Sequence, residues 1–528
     1  MALSFYGKAK GTAATAMSAR GFFVNALAED ALQLWQTVKE NLARGGFWRW
    51  LVLLTLLAGT VRLVLLPLPL GHDEAYTFVG FASRSLPALL SDYSLPNNHI
   101  FHSLLVHLST ELFGVHPWSV RLPAFMAGVL AVPVAALLGM RLYGKTSGLL
   151  AAAMLAGLPS SAMYAGNARG YSLYMLFSLV LFCLAPVLVR RRNRAGWLLL
   201  VITGSLGFWT VPFMLYPFGG VLLWMFLLAL TGEVREAYGS AGKFILYLVG
   251  AGLATAGLAA LFYAPVVIWG TGWHSLIGNS FVQRLTWEDF LPTLLVRLQE
   301  TAREWSIDLP QWLGWMITAC GFIPLIWHAR LSRERVSPWG AALLWLVLVL
   351  PVQRTNPLAR LWTYLIPLWV LSGATGGVAL WRWLTRRWPQ QRSTGVGVVL
   401  SVLLVGGLVL ATWLEYGRPG RAGVGQVERA AMILLEAMQP GDVVLAVEPD
   451  DAPLWFYLLE KGAGREYFEL KRVPELRQFY LVLDPSKGQT VEGVLRERGL
   501  DPALCPSASV QAWRTVGTLE IKRCRLVP

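Results

Sequence analysis

Residues 71–76 read GHDEAY and follow directly on the apolar run FWRWLVLLTLLAGTVRLVLLPLPL (residues 47–70). About 20 apolar residues are enough to cross a bilayer, so the run predicts a first membrane span. Two adjacent carboxylates, Asp73 and Glu74, stand at its end beside His72. Removing such groups from water is costly, so their position indicates a function rather than a contribution to stability.

The composition of the whole chain predicts an α-helical polytopic membrane protein. Of its 528 residues, 55% are hydrophobic and 14% are charged, whereas an ordinary soluble domain has about 25% charged residues. Residues 1–46 lack the pattern of a secretory signal and are predicted to be a cytoplasmic N-terminal segment. About eleven spans are predicted, near 47–69, 119–141, 146–163, 171–189, 196–211, 213–230, 243–269, 310–327, 337–353, 357–381 and 395–414.

Arginine clusters in the short loops give the orientation. They follow the fourth, eighth and tenth predicted spans, within 190–194, 330–335 and 382–392. Positive loops face the cytoplasm, so GHDEAY opens an external loop, and the net charge of +14 reflects topology rather than nucleic-acid binding. The predicted location is a bacterial-type inner or plasma membrane, with many passes and an extracytoplasmic site.

The external segments differ in character. The first external loop, 71–118, contains two stretches, FASRSLPALLSDY and NNHIFHSLLVHLSTELFG, that resemble interfacial amphipathic helices. A later external loop covers 270–309. Residues 416–528 are charged and punctuated by Pro and Gly, with helix and strand patterns that predict a small extracytoplasmic α/β domain. Such a domain would bind an acceptor or cover the site, and its Cys505 and Cys524 would be open to pairing there.

Two chemical roles are open to the carboxylates. Asp73 could take a proton from an attacking hydroxyl as a general base. Asp73, Glu74 and His99 are also candidate ligands for a divalent ion such as Mg or Mn, since they offer oxygen and nitrogen donors. The spacing does not separate these roles, and a solvated acidic helix end is the structural alternative.

Histidines and arginines on the same external side extend the candidate site. His99 and His102 share a helix face, and they could equally be interfacial residues with their polar edges in water. Arg169, Arg354 and Arg360 break the positive-inside trend. They could grip a phosphate through paired donors or extend to the headgroup level of the surrounding lipid.

An ordered set of motifs resembles the GT-C glycosyltransferases, in the group that includes protein O-mannosyltransferases and lipid A aminoarabinose transferases. The motifs are HDEAY (72–76), NNHIFHSLL (97–105), RLPAFMAG (121–128), YAGNARGYSLYMLF (164–177) and ARLWTYLIPLW (359–369), and the resemblance covers residues 47–415. Two departures stand out. Ile100 and Phe101 occupy positions where Pro-Pro is common, and Asn167 stands where many relatives have Glu, which weakens the case for a tightly held metal.

The resemblance implies an enzyme that transfers a sugar from a polyprenyl-phosphate carrier to a hydroxyl acceptor, with inversion. It implies that Asp73 is the catalytic carboxylate, that Glu74 is its acidic neighbour, and that Arg169 and Tyr171 lie near the carrier phosphate. The remaining expected substrate-binding residues are His72, Asn98, His99, His102, Tyr164, Asn167, Arg354, Arg360 and Tyr364. The alternatives are a polytopic transporter, a lipid-linked glycan ligase without this base chemistry, and a membrane anchor for the C-terminal domain.

Overall fold

A computed structural model describes residues 24–40, 42–43, 46–278, 284–416, 423–473 and 475–526. The described chain is mostly helical, with one small sheet near its C-terminus. Helix α1 (24–40) lies within the predicted N-terminal segment, and the first 23 residues of that segment lie outside the described residues.

Long apolar helices form the membrane part of the fold. In chain order they are α2 (Phe47–Leu63), α6 (Pro117–Tyr143), α7 (Lys145–Gly157), α8 (Pro159–Ala165), α9 (Tyr171–Arg190), α10 (Arg194–Thr210), α11 (Leu215–Leu230), α13 (Ala241–Trp269), α16 (Gln311–Ile326), α18 (Pro338–Gln353), α19 (Ile366–Leu384) and α20 (Gln390–Tyr416). Short helices α12 (Arg235–Tyr238) and α17 (His328–Leu331) lie between them.

Each of the eleven predicted spans overlaps at least one helix. Within the described residues, six helices are long and apolar enough to cross a membrane, and the count is seven if the bent pair α7 and α8 forms one span. Helices α16 and α18 are apolar but shorter. The helical membrane architecture is therefore confirmed, while the number of spans stays a prediction.

The membrane helices have apolar faces that no other part of the structure covers. Leu253 of α13 is 69% exposed and Leu403 of α20 is 65% exposed. A solvated protein rarely exposes such continuous apolar faces, whereas lipid tails cover them without cost. These faces are those expected of helices in hydrocarbon.

A buried arginine satisfies the break between α7 and α8, where the two helices bend by 63°. Such a break frees backbone carbonyls, which are expensive to leave without partners away from water. Arg62 of α2 donates to the carbonyls of Leu155 and Ala156 at 3.0 and 2.8 Å, and to Oγ of Ser161 at 2.9 Å. The first span is thus tied to the broken helix.

The predicted external loops contain short helices. The first loop has α3 (His72–Tyr76), a π-helical segment Thr77–Ala82, α4 (Leu86–Ser91) and α5 (Ile100–Phe113), so the second predicted loop helix matches α5 closely. The first predicted loop helix, FASRSLPALLSDY, is not one continuous helix. It begins at the end of the π-helical segment and contains α4. The later loop contains α14 (Trp273–Ile277) and α15 (Trp287–Trp305).

The C-terminal domain has strands and helices, as predicted, and its sheet is four-stranded. Its strands are β1 (Asp442–Leu445), β2 (Gln478–Leu483), β3 (Val510–Val516) and β4 (Leu519–Arg525), in the order β1-β2-β4-β3. Strands β1 and β2 are parallel and the other pairs are antiparallel. Its helices are α21 (Gly423–Ala437), α22 (Asp451–Glu460) and α23 (Val491–Glu497). A disulfide joins Cys505 to Cys524.

Helix α22 packs directly on the first external loop. Phe78 meets Phe456 edge to face, with ring centroids 5.5 Å apart. The hydroxyl of Tyr457 accepts a hydrogen bond from the Leu70 amide at 3.3 Å. Apolar residues from both sides share one core. The domain and the segment that carries GHDEAY are therefore one packed unit.

Candidate functional site

The two adjacent carboxylates of GHDEAY have different surroundings. Successive residues of a helix point about 100° apart, so Asp73 and Glu74 at the start of α3 cannot face the same way. The Asp73 side chain is 49% exposed, whereas that of Glu74 is 10% exposed. The sequence presents a pair, and the fold separates its members.

Arg121 of α6 and two backbone amides surround Glu74. The guanidinium donates to both carboxylate oxygens at 2.8 Å, through Nε and Nη2. The amides of Ala168 and Gly71 donate to the same carboxylate at 2.9 and 3.0 Å. Arg121 also donates to the Pro69 carbonyl at 2.9 Å. This buried, fully bonded pair holds α3 against the exit of α2.

Asp73 instead faces two arginines. Arg169 forms an ion pair with Oδ2, and Nη1 of Arg360 lies 3.7 Å from the same oxygen. Nδ1 of His72 lies 3.7 Å from Oδ1. The contact with His72 lowers the pKa of Asp73, burial raises it, and the two arginines lower it again, so the net pKa lies well below the ordinary value for Asp.

His72 connects the site to the C-terminal domain. Its Nε2 lies 3.1 Å from Oδ1 of Asp451 and 3.6 Å from Oε1 of Glu448. Burial lowers the pKa of His72, but the contacts with Asp451 and Asp73 outweigh it and raise the pKa to about 10. His72 is therefore an imidazolium at neutral pH, placed between carboxylates from two parts of the chain.

A cavity of about 530 Å³, here called the Asp73 cavity, opens beside these groups. Its lining contains both polar or charged side chains and apolar ones. The polar lining residues include His72, Asp73, Asn97, His99, Arg169, Tyr171, Arg284, Gln353, Thr355, Arg360 and Glu448. The apolar ones include Leu95, Val211, Leu215, Leu276, Ile277 and Leu361.

His99 fixes the segment that carries Arg169. Its ring is buried, and Nδ1 accepts a hydrogen bond from the amide of Gly170 at 2.8 Å. Burial and the nearby positive charge of Arg169 lower the pKa of His99, so the ring is neutral and can accept this bond. A Cβ at Gly170 would lie 2.7 Å from Nδ1, so glycine is needed for the close approach. Tyr171 meets the His99 ring edge to face at 5.0 Å.

Six of the predicted site residues line the Asp73 cavity, namely His72, Asp73, His99, Arg169, Tyr171 and Arg360. The other seven do not, and they are Glu74, Asn98, His102, Tyr164, Asn167, Arg354 and Tyr364.

Several of these seven have structural contacts instead. The side-chain amide of Asn98 donates hydrogen bonds from Nδ2 to the backbone carbonyls of Leu89 and Asp92. Tyr364 packs on Tyr174. The guanidinium of Arg354 lies 5.4 Å from the ring centroid of Trp287.

Sequence reasoning missed other lining residues, including Tyr93, Asn97, Arg284, Gln353, Thr355 and Glu448, together with Asp451 behind His72. Arg284 carried a signal, because it is another cation in a predicted external loop. Asp451 carried none, since nothing in its local pattern points to a residue almost 380 positions earlier.

The proposed metal ligands do not converge. In the described ranges, no group of three or more His, Cys, Asp or Glu side chains is arranged to hold a metal ion. Asp73 is paired with two arginines, Glu74 is saturated by Arg121, and Nδ1 of His99 accepts a backbone hydrogen bond. The residues named as candidate ligands therefore do not fit a divalent ion.

One family model matches part of the chain. Residues 97–269 match the model described as dolichyl-phosphate-mannose-protein mannosyltransferase. That range contains His99, Arg169 and Tyr171 but not Asp73. No curated protein sequence matches the chain.

Solved structures of two other proteins have similar folds. ArnT from Cupriavidus metallidurans in the apo state aligns with a TM-score of 0.57 at 16% identity, covering 90% of this chain and 97% of ArnT. The structure of the same protein bound to undecaprenyl phosphate aligns with a TM-score of 0.56 at 16% identity, covering 90% of this chain and 98% of ArnT. The Archaeoglobus fulgidus oligosaccharyltransferase tethered with an acceptor peptide aligns with a TM-score of 0.52 at 12% identity, covering 85% of this chain and 70% of the oligosaccharyltransferase chain.

Proposed function

Because the chain has the fold of the polytopic GT-C glycosyltransferases, we propose that it is a membrane glycosyltransferase that moves a sugar from a polyprenyl-phosphate carrier to a hydroxyl acceptor. The transfer takes place on the extracytoplasmic face and inverts the anomeric carbon. Asp73 acts as the general base. Arg169 and Arg360 bind the phosphate of the carrier.

One observation carries this proposal, which is the combination of groups around the Asp73 cavity. A polyprenyl-phosphate sugar has a lipid tail, an anionic phosphate and a sugar that must meet an acceptor. The cavity lining includes apolar side chains, the three arginines Arg169, Arg284 and Arg360, and the accessible carboxylates of Asp73 and Glu448, of which only Asp73 pairs with the arginines Arg169 and Arg360. The fold of ArnT, which has been solved with undecaprenyl phosphate bound, supports the same class of donor.

The chemical step is a direct displacement. The acceptor hydroxyl gives its proton to a carboxylate oxygen of Asp73, and its oxygen forms a bond to the anomeric carbon. The bond from that carbon to the phosphate oxygen breaks, and its electron pair leaves with the polyprenyl phosphate. Arg169 and Arg360 stabilise the charge on the departing phosphate. No general acid is required, because the phosphate leaves as an anion.

Competition for the arginines gives Asp73 its basicity. Paired with Arg169 and Arg360, the carboxylate is a poor base, since nearby cations favour its charged form. A carrier phosphate is a second anion for the same guanidinium groups. When it attracts them, Asp73 loses part of that stabilisation and its pKa rises. Donor binding then activates the base in the same event that positions the sugar.

The location of the site is also part of the proposal. The disulfide between Cys505 and Cys524 supports an extracytoplasmic C-terminal domain, because disulfides persist in oxidising compartments. The domain packs against α3, so the Asp73 cavity shares its side of the membrane. The chain accordingly divides into a cytoplasmic segment 1–46, a catalytic membrane domain 47–415 and an extracytoplasmic domain 416–528.

The test uses the full chain in nanodiscs with a panel of polyprenyl-phosphate sugars. Thermal stabilisation of the protein reports donor binding, and release of free polyprenyl phosphate from the donor reports turnover. We expect one donor to stabilise the wild type. Asp73→Asn should bind that donor with at least a hundredfold loss of turnover. Arg360→Gln should bind it at least about tenfold more weakly, as expected for a lost charged hydrogen bond.

Glu111→Gln is the matched control, since Glu111 is an exposed carboxylate on α5 in the same loop and does not line the cavity. It should behave as the wild type. Full turnover by Asp73→Asn would exclude the base. Transport of a solute, or ligation of lipid-linked glycans that does not depend on Asp73, would replace the proposal with one of its alternatives.

A further inference from the structure

A second cleft borders Tyr76, the last residue of α3. It has a volume of about 830 Å³ and runs between the first external loop and the C-terminal domain. We call it the basic cleft. The lining residues that matter here are Tyr76, Arg84, Trp455, Lys471, Arg472 and Arg498. None of the roles assigned above uses this space.

Positive charge dominates the walls of the basic cleft. Arg84 comes from the first external loop, and Arg465, Lys471, Arg472 and Arg498 come from the C-terminal domain; Glu469 is the acidic lining residue. Cations contributed by separate segments have been brought together by folding, although they repel one another. An anion that binds between them would relieve that repulsion.

Existing ion pairs leave part of this charge available. Arg465 is engaged in holding the two walls together, since it donates to the Val79 carbonyl at 2.7 Å and pairs with Glu469. Arg84 uses Nη1 toward Asp92, and Arg472 uses Nε toward Glu469. Each guanidinium has five N–H donors, so one such contact does not saturate it. Arg472 is 60% exposed and reachable by a ligand.

The cleft is next to the Asp73 cavity. Tyr76 lines both spaces, and Arg498 pairs with Asp451 at 2.6 Å, which in turn contacts His72. Tyr76 lies three residues after Asp73, about one helix turn, so a molecule bound beside Tyr76 in the cleft borders the Asp73 cavity.

Aromatic rings accompany the cations. Trp455 stacks on Phe468 with centroids 5.3 Å apart, and the guanidinium of Arg498 lies 4.4 Å from the Trp455 centroid. Phe468 is buried, so the partly exposed rings of Trp455 and Tyr76 are those that a ligand in the cleft can reach. Rings beside arginines suit a ligand that carries both an anion and an amphipathic body, such as a phosphorylated sugar. A peptide rich in carboxylates would use the cations but not the rings.

We propose that the basic cleft binds a phosphate group on a glycan acceptor and thereby directs an acceptor hydroxyl to Asp73. This inference rests on the proposed function, because it assigns the acceptor of the same reaction. It predicts that the C-terminal domain contributes directly to acceptor affinity. It also predicts that the binding weakens as salt rises, since screening acts on exposed charges.

The experiment measures binding to the full chain in phosphatidylcholine nanodiscs. Saturating undecaprenyl phosphate is added first, so that the arginines of the Asp73 cavity are occupied. Glucose 6-phosphate, glucose, inorganic phosphate and hexaglutamate are then titrated separately by calorimetry. We expect glucose 6-phosphate to bind, inorganic phosphate to bind more weakly, and glucose and hexaglutamate not to bind.

Arg472→Gln and Lys471→Gln should each weaken glucose 6-phosphate binding at least about tenfold. The control is Arg496→Gln, since Arg496 is an exposed arginine of the same domain that lies outside the cleft. Its affinity should equal that of the wild type. Because both cleft residues are on the surface, these variants should fold.

Three results would overturn the inference. They are no binding of glucose 6-phosphate, binding by the cleft variants that equals that of the wild type, or tighter binding of hexaglutamate than of glucose 6-phosphate. Each would leave the proposed function intact as long as undecaprenyl phosphate binds. Failure of undecaprenyl phosphate to bind would instead count against the donor assignment, and it is read in the first step of the same experiment.

Discussion

Nε2 of His72 lies 3.1 Å from Oδ1 of Asp451, so a residue of the first external loop and a residue of the C-terminal domain form one ion pair. Oδ2 of Asp451 in turn accepts from Arg498 at 2.6 Å. On its other side His72 faces Asp73. The proposed base is therefore linked to the C-terminal domain by a row of alternating charges.

This row makes stability depend on pH in a defined window. The pKa of His72 is raised to about 10 in the folded protein, compared with 6.5 for an ordinary His. The stabilisation of the folded state by protonated His72 is complete below pH about 6.5 and is lost as the pH rises toward 10. The thermal midpoint of the wild type should therefore fall more steeply over that window than that of His72→Gln. Parallel curves for the two proteins would contradict the assignment.

Replacing Asp451 should change the pH profile of turnover. In Asp451→Asn, His72 loses its strongest partner, so its pKa falls toward the ordinary value. Glu448 and Asp73 still face it and limit the fall. We expect turnover of the variant to decline between pH 6 and 8, where the wild type changes little. Asp451→Glu, which keeps the charge, should restore the wild-type profile.

Glu74 should matter for stability rather than for the chemical step. Its pair with Arg121 is buried, and removing one partner of such a pair costs about 3–5 kcal/mol because the other charge is left uncompensated. Glu74→Gln should lower the thermal midpoint and the yield. Replacing both residues, as Glu74→Gln with Arg121→Met, should recover part of the loss. A variant of normal stability that binds donor without turnover would return Glu74 to a catalytic role.

The packing of Phe78 on Phe456 should determine how firmly the domain holds α3. Phe78→Ala removes a buried ring, for which the expected cost is about 3–5 kcal/mol. Hydrogen exchange should increase in residues 72–83 and in α22 together. Phe113→Ala is the control, because Phe113 is an exposed ring of the same loop. Faster exchange in only one of the two segments would show that they are not one unit.

The membrane architecture could be predicted from sequence because its signal is local. An apolar run of sufficient length becomes a helix in a bilayer, since no other arrangement satisfies its backbone there. The same holds for α5, whose pattern lies within one segment. Strand β3 escaped notice, because its four apolar residues do not alternate with its three polar ones as in a half-buried strand.

The candidate site could be predicted only in part, for a different reason. The pattern marked Asp73 and Glu74 as one feature, and only the direction of each side chain distinguishes them. Arg169 and Arg360 could be predicted because they are cations on the external side, where the positive-inside rule does not expect them. Asp451 and Arg498 belong to a soluble-looking domain, where acidic and basic residues are ordinary, so only the tertiary contact with His72 gives them significance.

The contact between His72 and Asp451 also has a consequence for biosynthesis. Residue 72 is made early and enters the membrane with the first helix, whereas α22 emerges only after all the other membrane helices have been synthesised. The disulfide between Cys505 and Cys524 in the C-terminal domain also forms only after the membrane helices have been made. A nascent chain that lacks α22 thus carries Asp73 and His72 without the Asp451 carboxylate that pairs with His72, so the row of charges is complete only after the C-terminal domain has been synthesised.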